Sequence, residues 1–430
     1  MISNLRSLLS SDFGSKAGWL ISLSAFERGI AVIQTVLIAR ALGITDYGIY
    51  GLLFGTIGFV ASVIGLQLGL TATVHVAMYK DKEKEKAAAV ISMIRRLGLF
   101  LSLGAVAVVL PMAARISEFL FGSPGFELVV SLGIVFVAAT IICGIQDGVA
   151  QGFEVFGAIA KTKIATTCLS FALVYPAAKW MGIAGILLAL LLGLALKYAL
   201  LWRILLLKRA EYGIPAVGGG VSLKALIGRF ALPSMAVSLV TGCATWVGTL
   251  QLSRQGQGFD AVAMVNTGLQ WRGPVLLLAA SLGGVAVPAF SRLVSSGNGA
   301  HVAKFRNSLL VLNGGGTIFL VGMLVALSVP ILRAYGPGFD QGAVAFSLVL
   351  LSTVPTIIAG VFMQELVGSA RMWRQFWIHV PFVVVLMVCF HTLIPRFGAN
   401  GYAIALLAGG LVFMLSALVA DRLWKPATAS

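Results

Sequence analysis

A chain of 430 residues, 59% hydrophobic and only 11% charged, with a mean hydropathy of +0.99, carries apolar runs along its whole length that are too long for a soluble core. This excludes a soluble enzyme or a nucleic-acid-binding module: the net charge of +16 is scattered over short loops with no soluble domain to present it, and topology accounts for it. The four cysteines, Cys143, Cys168, Cys243 and Cys389, all fall within apolar runs and form no CxxC pair, so no disulfide, metal site or cofactor is expected.

The first run, Ala17 to Arg40, is long enough to cross a bilayer and holds Glu27 and Arg28 near its middle, where each charge costs about 2.5 to 3.5 kcal/mol. Its length and charges argue for a retained span and against a cleaved signal peptide. Neighbours on a helix point about 100° apart, so these two do not neutralise each other locally. Each needs a partner on another helix or in a ligand.

Further spans are expected at 47–78, 88–112, 127–150, 162–178, 183–206, 224–252, 260–289, 306–332, 340–368, 374–394 and 400–422, twelve in all with the first. An even number puts both termini on one side. If that side is the cytoplasm, 22 of the 31 basic residues fall in inner segments and 6 in outer ones, with Arg28, Lys197 and Arg272 left within the membrane, as the positive-inside rule requires. The expected layout is an N-terminal six-helix bundle over 1–207, a cytoplasmic linker over 208–223, a C-terminal six-helix bundle over 224–424 and a short cytoplasmic tail over 425–430.

The two halves echo each other. Arg40 precedes Asp46 as Arg254 precedes Asp260, GSPGFE at Gly122 to Glu127 returns as YGPGFD at Tyr335 to Asp340, and MGIAG, with Gly182 and Gly185, returns as FGANG, with Gly398 and Gly401. Three turns in one order at a nearly constant shift argue for duplication of a six-helix unit. The fold class is therefore an all-α polytopic membrane protein: twelve transmembrane helices in two parallel six-helix repeats around a central cavity.

Arg28 and Arg272 lie near the middle of the first and eighth spans, and two guanidinium forks facing one cavity suit a phosphate-bearing head. The alternative is a structural pairing of each with a carboxylate such as Glu27. Lys197 on the sixth span is a further candidate ligand, or a snorkelling stem. Asn266 and Gln270 share a face of the eighth span just before Arg272, where sugar contact and helix packing weigh evenly. Ser238, Thr241, Thr245 and Thr249 form a polar stripe on the seventh span, read as helix-to-helix hydrogen bonding. Glu27 either couples transport to protonation or only neutralises a cation. Asp147 and Glu365, toward the inner ends of the fourth and tenth spans, are expected in gate ion pairs with Lys161, Lys163, Arg371 or Arg374. The chain has no GxxxxGK[ST] phosphate loop and no GxSxG or HExxH constellation.

The stretch LIARALGITDYGIYGLLFGTIGFVASVIGLQLGL, followed by a Lys- and Arg-bearing loop, resembles the start of the polysaccharide transporter branch of the multidrug, oligosaccharidyl-lipid and polysaccharide (MOP) flippase superfamily, with its O-antigen and exopolysaccharide flippases. The resemblance implies a MATE-like fold and an alternating-access flippase of the bacterial inner membrane. Its cargo would be an undecaprenyl-(pyro)phosphate-linked oligosaccharide, carried from the cytoplasmic to the outer leaflet for surface polysaccharide assembly. Proton or sodium coupling, glycan polymerase or ligase proteins as partners, a monomeric state and no nucleic acid go with it. It also implies a cationic cavity with basic residues on the first and eighth helices, which Arg28 and Arg272 match. Two competitors stand beside it: a MATE-like exporter of organic cations, which midplane arginines disfavour, and a membrane polysaccharide polymerase or ligase, disfavoured because no outer connection exceeds about 20 residues.

Overall fold

The computed structural model describes residues 12–65, 67–216, 218–219, 231–295, 299–368 and 372–423. The expected linker falls partly outside these residues, and the tail over 425–430 and Arg371 fall wholly outside them. The helices are α1 (Asp12–Leu42), α2 (Ile44–Ile64), α3 (Leu68–Tyr79), α4 (Lys84–Val109), α5 (Ala113–Phe121), α6 (Glu127–Gly152), α7 (Phe156–Glu211), α8 (Ala231–Ser253), α9 (Gly258–Ser295), α10 (Gly299–Ala326), α11 (Ser328–Tyr335), α12 (Ala343–Leu351), α13 (Thr353–Gly368) and α14 (Met372–Leu423). The twelve spans map onto α1, α2 with α3, α4, α6, the two legs of α7, α8, α9, α10, α12 with α13, and the two legs of α14.

The 56 residues of α7 would reach about 84 Å as a straight helix, far more than the roughly 30 Å of bilayer hydrocarbon. They fold back at Gly182 (φ 57°, ψ −139°), and α14 does the same at Gly398 (φ 53°, ψ −126°). Both conformations belong essentially to glycine. Three residues on, the returning leg crosses the first so closely that a Cβ on Gly185 would lie 2.1 Å from the carbonyl oxygen of Ala177, and one on Gly401 would lie 2.2 Å from that of Leu393. The repeated MGIAG and FGANG strings are thus two copies of one hairpin. The GSPGFE and YGPGFD repeats likewise fold as short 3-10 turns, Pro124–Phe126 and Phe339–Gly342.

The chain divides into two compact units: Met1–Gln34 with Thr56–Met235, and Thr35–Gly55 with Ala236–Ser430. In the first, α6 is the central helix, packed by α3, α4 and α7. Its contact with α3 runs through small residues. A Cβ on Gly148 would sit 2.0 Å from the Gly69 carbonyl oxygen, one on Gly152 2.7 Å from Val76 Cβ, and Thr73 Oγ1 donates to the Gly148 carbonyl at 3.1 Å. Such small-residue seams let helices associate by close packing where lipid offers no hydrophobic drive. The span over 47–78 is broken: Gln67 takes a left-handed φ of 53° between α2 and α3.

In the second unit α9 packs against α12 and α13, and α13 against α10 and α14. The start of α2 lies on α9, so that a Cβ on Gly48 would meet the Phe259 carbonyl oxygen at 1.9 Å. Large apolar side chains face outward in both units, among them Phe100, Phe319 and Trp377, as expected of helices solvated by acyl chains.

Candidate functional site

In the first unit, α1, α6 and both legs of α7 enclose a cavity of about 350 Å³ lined by two acid–base pairs. Lys163 Nζ lies 3.4 Å from Glu27 Oε2, and Lys197 Nζ lies 2.5 Å from Asp147 Oδ2. The four side chains are 16–32% exposed, so neither pair is sealed off from the cavity. Thr166, Thr167, Ser170 and Gln34 complete its polar wall. Each carboxylate answers one ammonium, and the local charge cancels.

Two expectations are corrected here. Asp147 pairs with Lys197 on the second leg of α7, not with Lys161 or Lys163, because that leg returns beside α6. The carboxylate of Glu27 is taken by Lys163 and is no counterion for an arginine. The expected span over 162–178 puts Lys163 at its inner edge, but α7 begins at Phe156 and carries the residue two turns inside the helix. Arg28 is exposed and has no ion-pair partner among the described residues.

In the second unit, Arg272 is half-buried on α9. Its Nη2 donates to Thr356 Oγ1 on α13 at 3.1 Å, its charge is felt by Tyr402 on α14, and its Nε is buried without a hydrogen-bond partner among the described residues. No carboxylate pairs with it among the described residues. Asn266 faces another way: six positions earlier on a helix is about 240° of rotation, and its amide lies against Gly51 of α2, with Nδ2 buried and unpartnered. Gln270 is half-buried. Asn266 and Arg272 are therefore not brought onto one face.

The threonine stripe bonds within its own helix. Thr241, Thr245 and Thr249 donate to the carbonyls of Val237, Thr241 and Thr245 at 2.7, 3.1 and 2.9 Å, and Thr249 meets the Tyr402 hydroxyl at 3.3 Å. A polar node that the sequence reading missed sits nearby. The Tyr335 hydroxyl, in a fully buried side chain, takes a hydrogen bond from Trp271 Nε1 at 3.0 Å and shares one with Thr35 Oγ1 at 3.1 Å.

Glu365 is joined to Arg306, whose Nη1 lies 3.2 Å from Glu365 Oε2 and 2.5 Å from Asp421 Oδ1, with the guanidinium 5.3 Å from the Phe362 ring centre. Arg306 was expected at the edge of a loop; α10 starts at Gly299 and places it two turns inside.

The fold is two helical units, each with a glycine hairpin and with ion pairs between its long apolar helices. The chain superposes on an inward-facing MATE family multidrug transporter of the MOP superfamily with a TM-score of 0.78, 15% identity and coverage of 93% of this chain and 94% of that one. It superposes on a MOP superfamily transporter from Pyrococcus furiosus, described by the reverse polarity of its binding pocket, with a TM-score of 0.71, 14% identity and coverage of 97% and 96%. Residues 13–294 match the family model described as "Polysaccharide biosynthesis protein", and the chain belongs to that family. It is 23% identical over 397 residues to the EPS I polysaccharide export inner membrane protein EpsE of Ralstonia solanacearum, covering 89% of this chain and 87% of that one.

Proposed function

We propose that the protein is a polysaccharide-export transporter of the bacterial inner membrane that turns a polyprenyl-(pyro)phosphate-linked oligosaccharide from the cytoplasmic to the outer leaflet, with both termini cytoplasmic. One observation carries the reading. The lysines of the first unit are neutralised by Glu27 and Asp147, whereas Arg28 and Arg272 have no carboxylate partner among the described residues. The uncompensated intramembrane charge is thus positive and made of guanidinium, the group best shaped for phosphate oxygens. An exporter of organic cations needs the opposite balance.

In this reading Arg272 and, in the first unit, Arg28 each offer a guanidinium to phosphate, Gln270 offers an amide to the sugar, Asn266 is left to helix packing, and Lys197 remains bound to Asp147 until an anion competes for it. Glu27 is placed to couple transport to an ion: protonating it, or setting a cation beside it, frees Lys163. The test is mass spectrometry of lipid that copurifies with the full chain from a strain making surface glycan. A polyprenyl-phosphate saccharide retained by the wild type and lost from Arg272→Gln is expected. Retention that the variant leaves unchanged would overturn the arginine site, and copurifying organic cations in place of glycolipid would overturn the function.

A further inference from the structure

The first unit has a second cleft, away from the acid–base cavity. It lies between α4, α6 and the second leg of α7, holds about 90 Å³, and is apolar for most of its depth, with Ile145, Val149 and Leu205 among its walls. Two arginines, Arg95 and Arg209, stand at it, close enough to repel each other. Neither has an ion-pair partner among the described residues. The Arg95 guanidinium is stacked 4.3 Å above the Trp202 ring, which stacks on Tyr198 in turn, and Arg209 Nη2 donates to the Pro215 carbonyl at 2.7 Å. Both cations are therefore held in position while keeping donors to spare.

Against the apolar wall lies Gln146, 7% exposed, whose amide Nε2 and Oε1 are both buried without a partner among the described residues. A buried amide with nothing to bond is costly and calls for a ligand that brings both an acceptor and a donor.

We infer that this cleft is a binding site for an anionic phospholipid of the membrane. The phosphate would bridge Arg95 and Arg209, the glycerol ester and hydroxyl region would meet the Gln146 amide, and the acyl chains would leave along the apolar wall. Paired arginines between helices, above an apolar groove and beside interfacial aromatics, are the chemistry of an anionic headgroup site. The cleft shares no lining residue with the acid–base cavity and includes neither Arg28 nor Arg272, so its test does not depend on the transport reading proposed above.

The experiment is native mass spectrometry of the purified full chain in detergent, titrated with cardiolipin, phosphatidylglycerol, phosphatidylcholine or inorganic phosphate. Wild-type protein is expected to retain the anionic lipids about tenfold more tightly than phosphatidylcholine. Arg95→Gln with Arg209→Gln should erase that preference, and Gln146→Leu should weaken all retention while keeping the preference. Equal retention of anionic and zwitterionic lipid by the wild type, an unchanged preference in a double variant of wild-type thermal stability, or displacement of the lipid by inorganic phosphate alone would each overturn the proposal. The wild-type comparison stands even if the double variant does not fold.

Discussion

Lys197 and Asp147 meet at 2.5 Å across α7 and α6, fifty residues apart in the chain, and line the same cavity as Lys163 and Glu27. Removing one member of such a pair leaves a charge in low dielectric. Asp147→Asn or Lys197→Met alone should lower stability by about 3 kcal/mol, while the double change to Asn and Met should recover most of it. Thermal unfolding followed on a fluorescent fusion by size-exclusion chromatography reads this directly. Additive losses would mean that the two groups do not depend on each other.

Arg272 has a hydroxyl and, among the described residues, no carboxylate beside it, so its replacement relieves a desolvated charge. Arg272→Gln is expected to keep or raise thermal stability while abolishing export of surface polysaccharide in a complementation assay. Arg272→Lys, which loses the fork but keeps the charge, should export at a reduced rate. Export at wild-type level by both variants would leave the arginine without a transport role.

Arg306 holds two carboxylates at once. Arg306→Ala removes the cation that Glu365 and Asp421 share, and a loss of about 3 kcal/mol is expected. Arg306→Ala combined with Asp421→Asn should be the more stable of the two variants, since the remaining carboxylate no longer faces a like charge. The same melting assay decides it.

At Tyr335 the expected cost falls on its neighbour. Tyr335→Phe removes the acceptor of the Trp271 indole and should cost about 1 to 3 kcal/mol, although the ring packing against Tyr47 and Phe339 survives. Trp271 fluorescence offers a local readout.

At the hairpins, Gly185→Ala and Gly401→Ala drive a methyl into backbone carbonyls that cannot move aside cheaply, so folded yield should fall sharply. Gly104→Ala, whose Cβ would meet nothing within 4 Å, serves as the control and should fold normally. Equal yields from all three would remove the steric reading of the repeated glycines.

The spans and their duplication were legible because both rest on local chemistry: apolar length, and glycines where the backbone turns through conformations other residues avoid. The threonine stripe was legible as a stripe but not in its bonding: the expected helix-to-helix hydrogen bond forms at Thr249 with Tyr402, while Thr241 and Thr245 reach back four residues to carbonyls of their own helix. The ion pairs were not legible. Glu27 finds Lys163 from 136 residues away and Arg306 finds Asp421 from 115, and helix order alone does not say which faces meet. Lys163 and Arg306 were set at the inner edges of their spans by the rule that helped most with orientation: drawing cations toward the cytoplasmic side hides those lying two turns inside a helix. The spacing of Asn266 and Arg272 was the reverse case, because six residues on a helix is a local fact that already separates their faces.

The two glycine hairpins also govern what can be reached from water. α7 and α14 each reverse on a single residue, with Trp180, 85% exposed, and Phe397, 56% exposed, beside the bends. Aromatics at such a tip sink among lipid headgroups and leave no protruding segment for a protease, an antibody or a thiol-labelling reagent to grip. Accessibility mapping will therefore fall silent at residues 182 and 398. A topology drawn from labelling alone would merge the fifth with the sixth crossing and the eleventh with the twelfth.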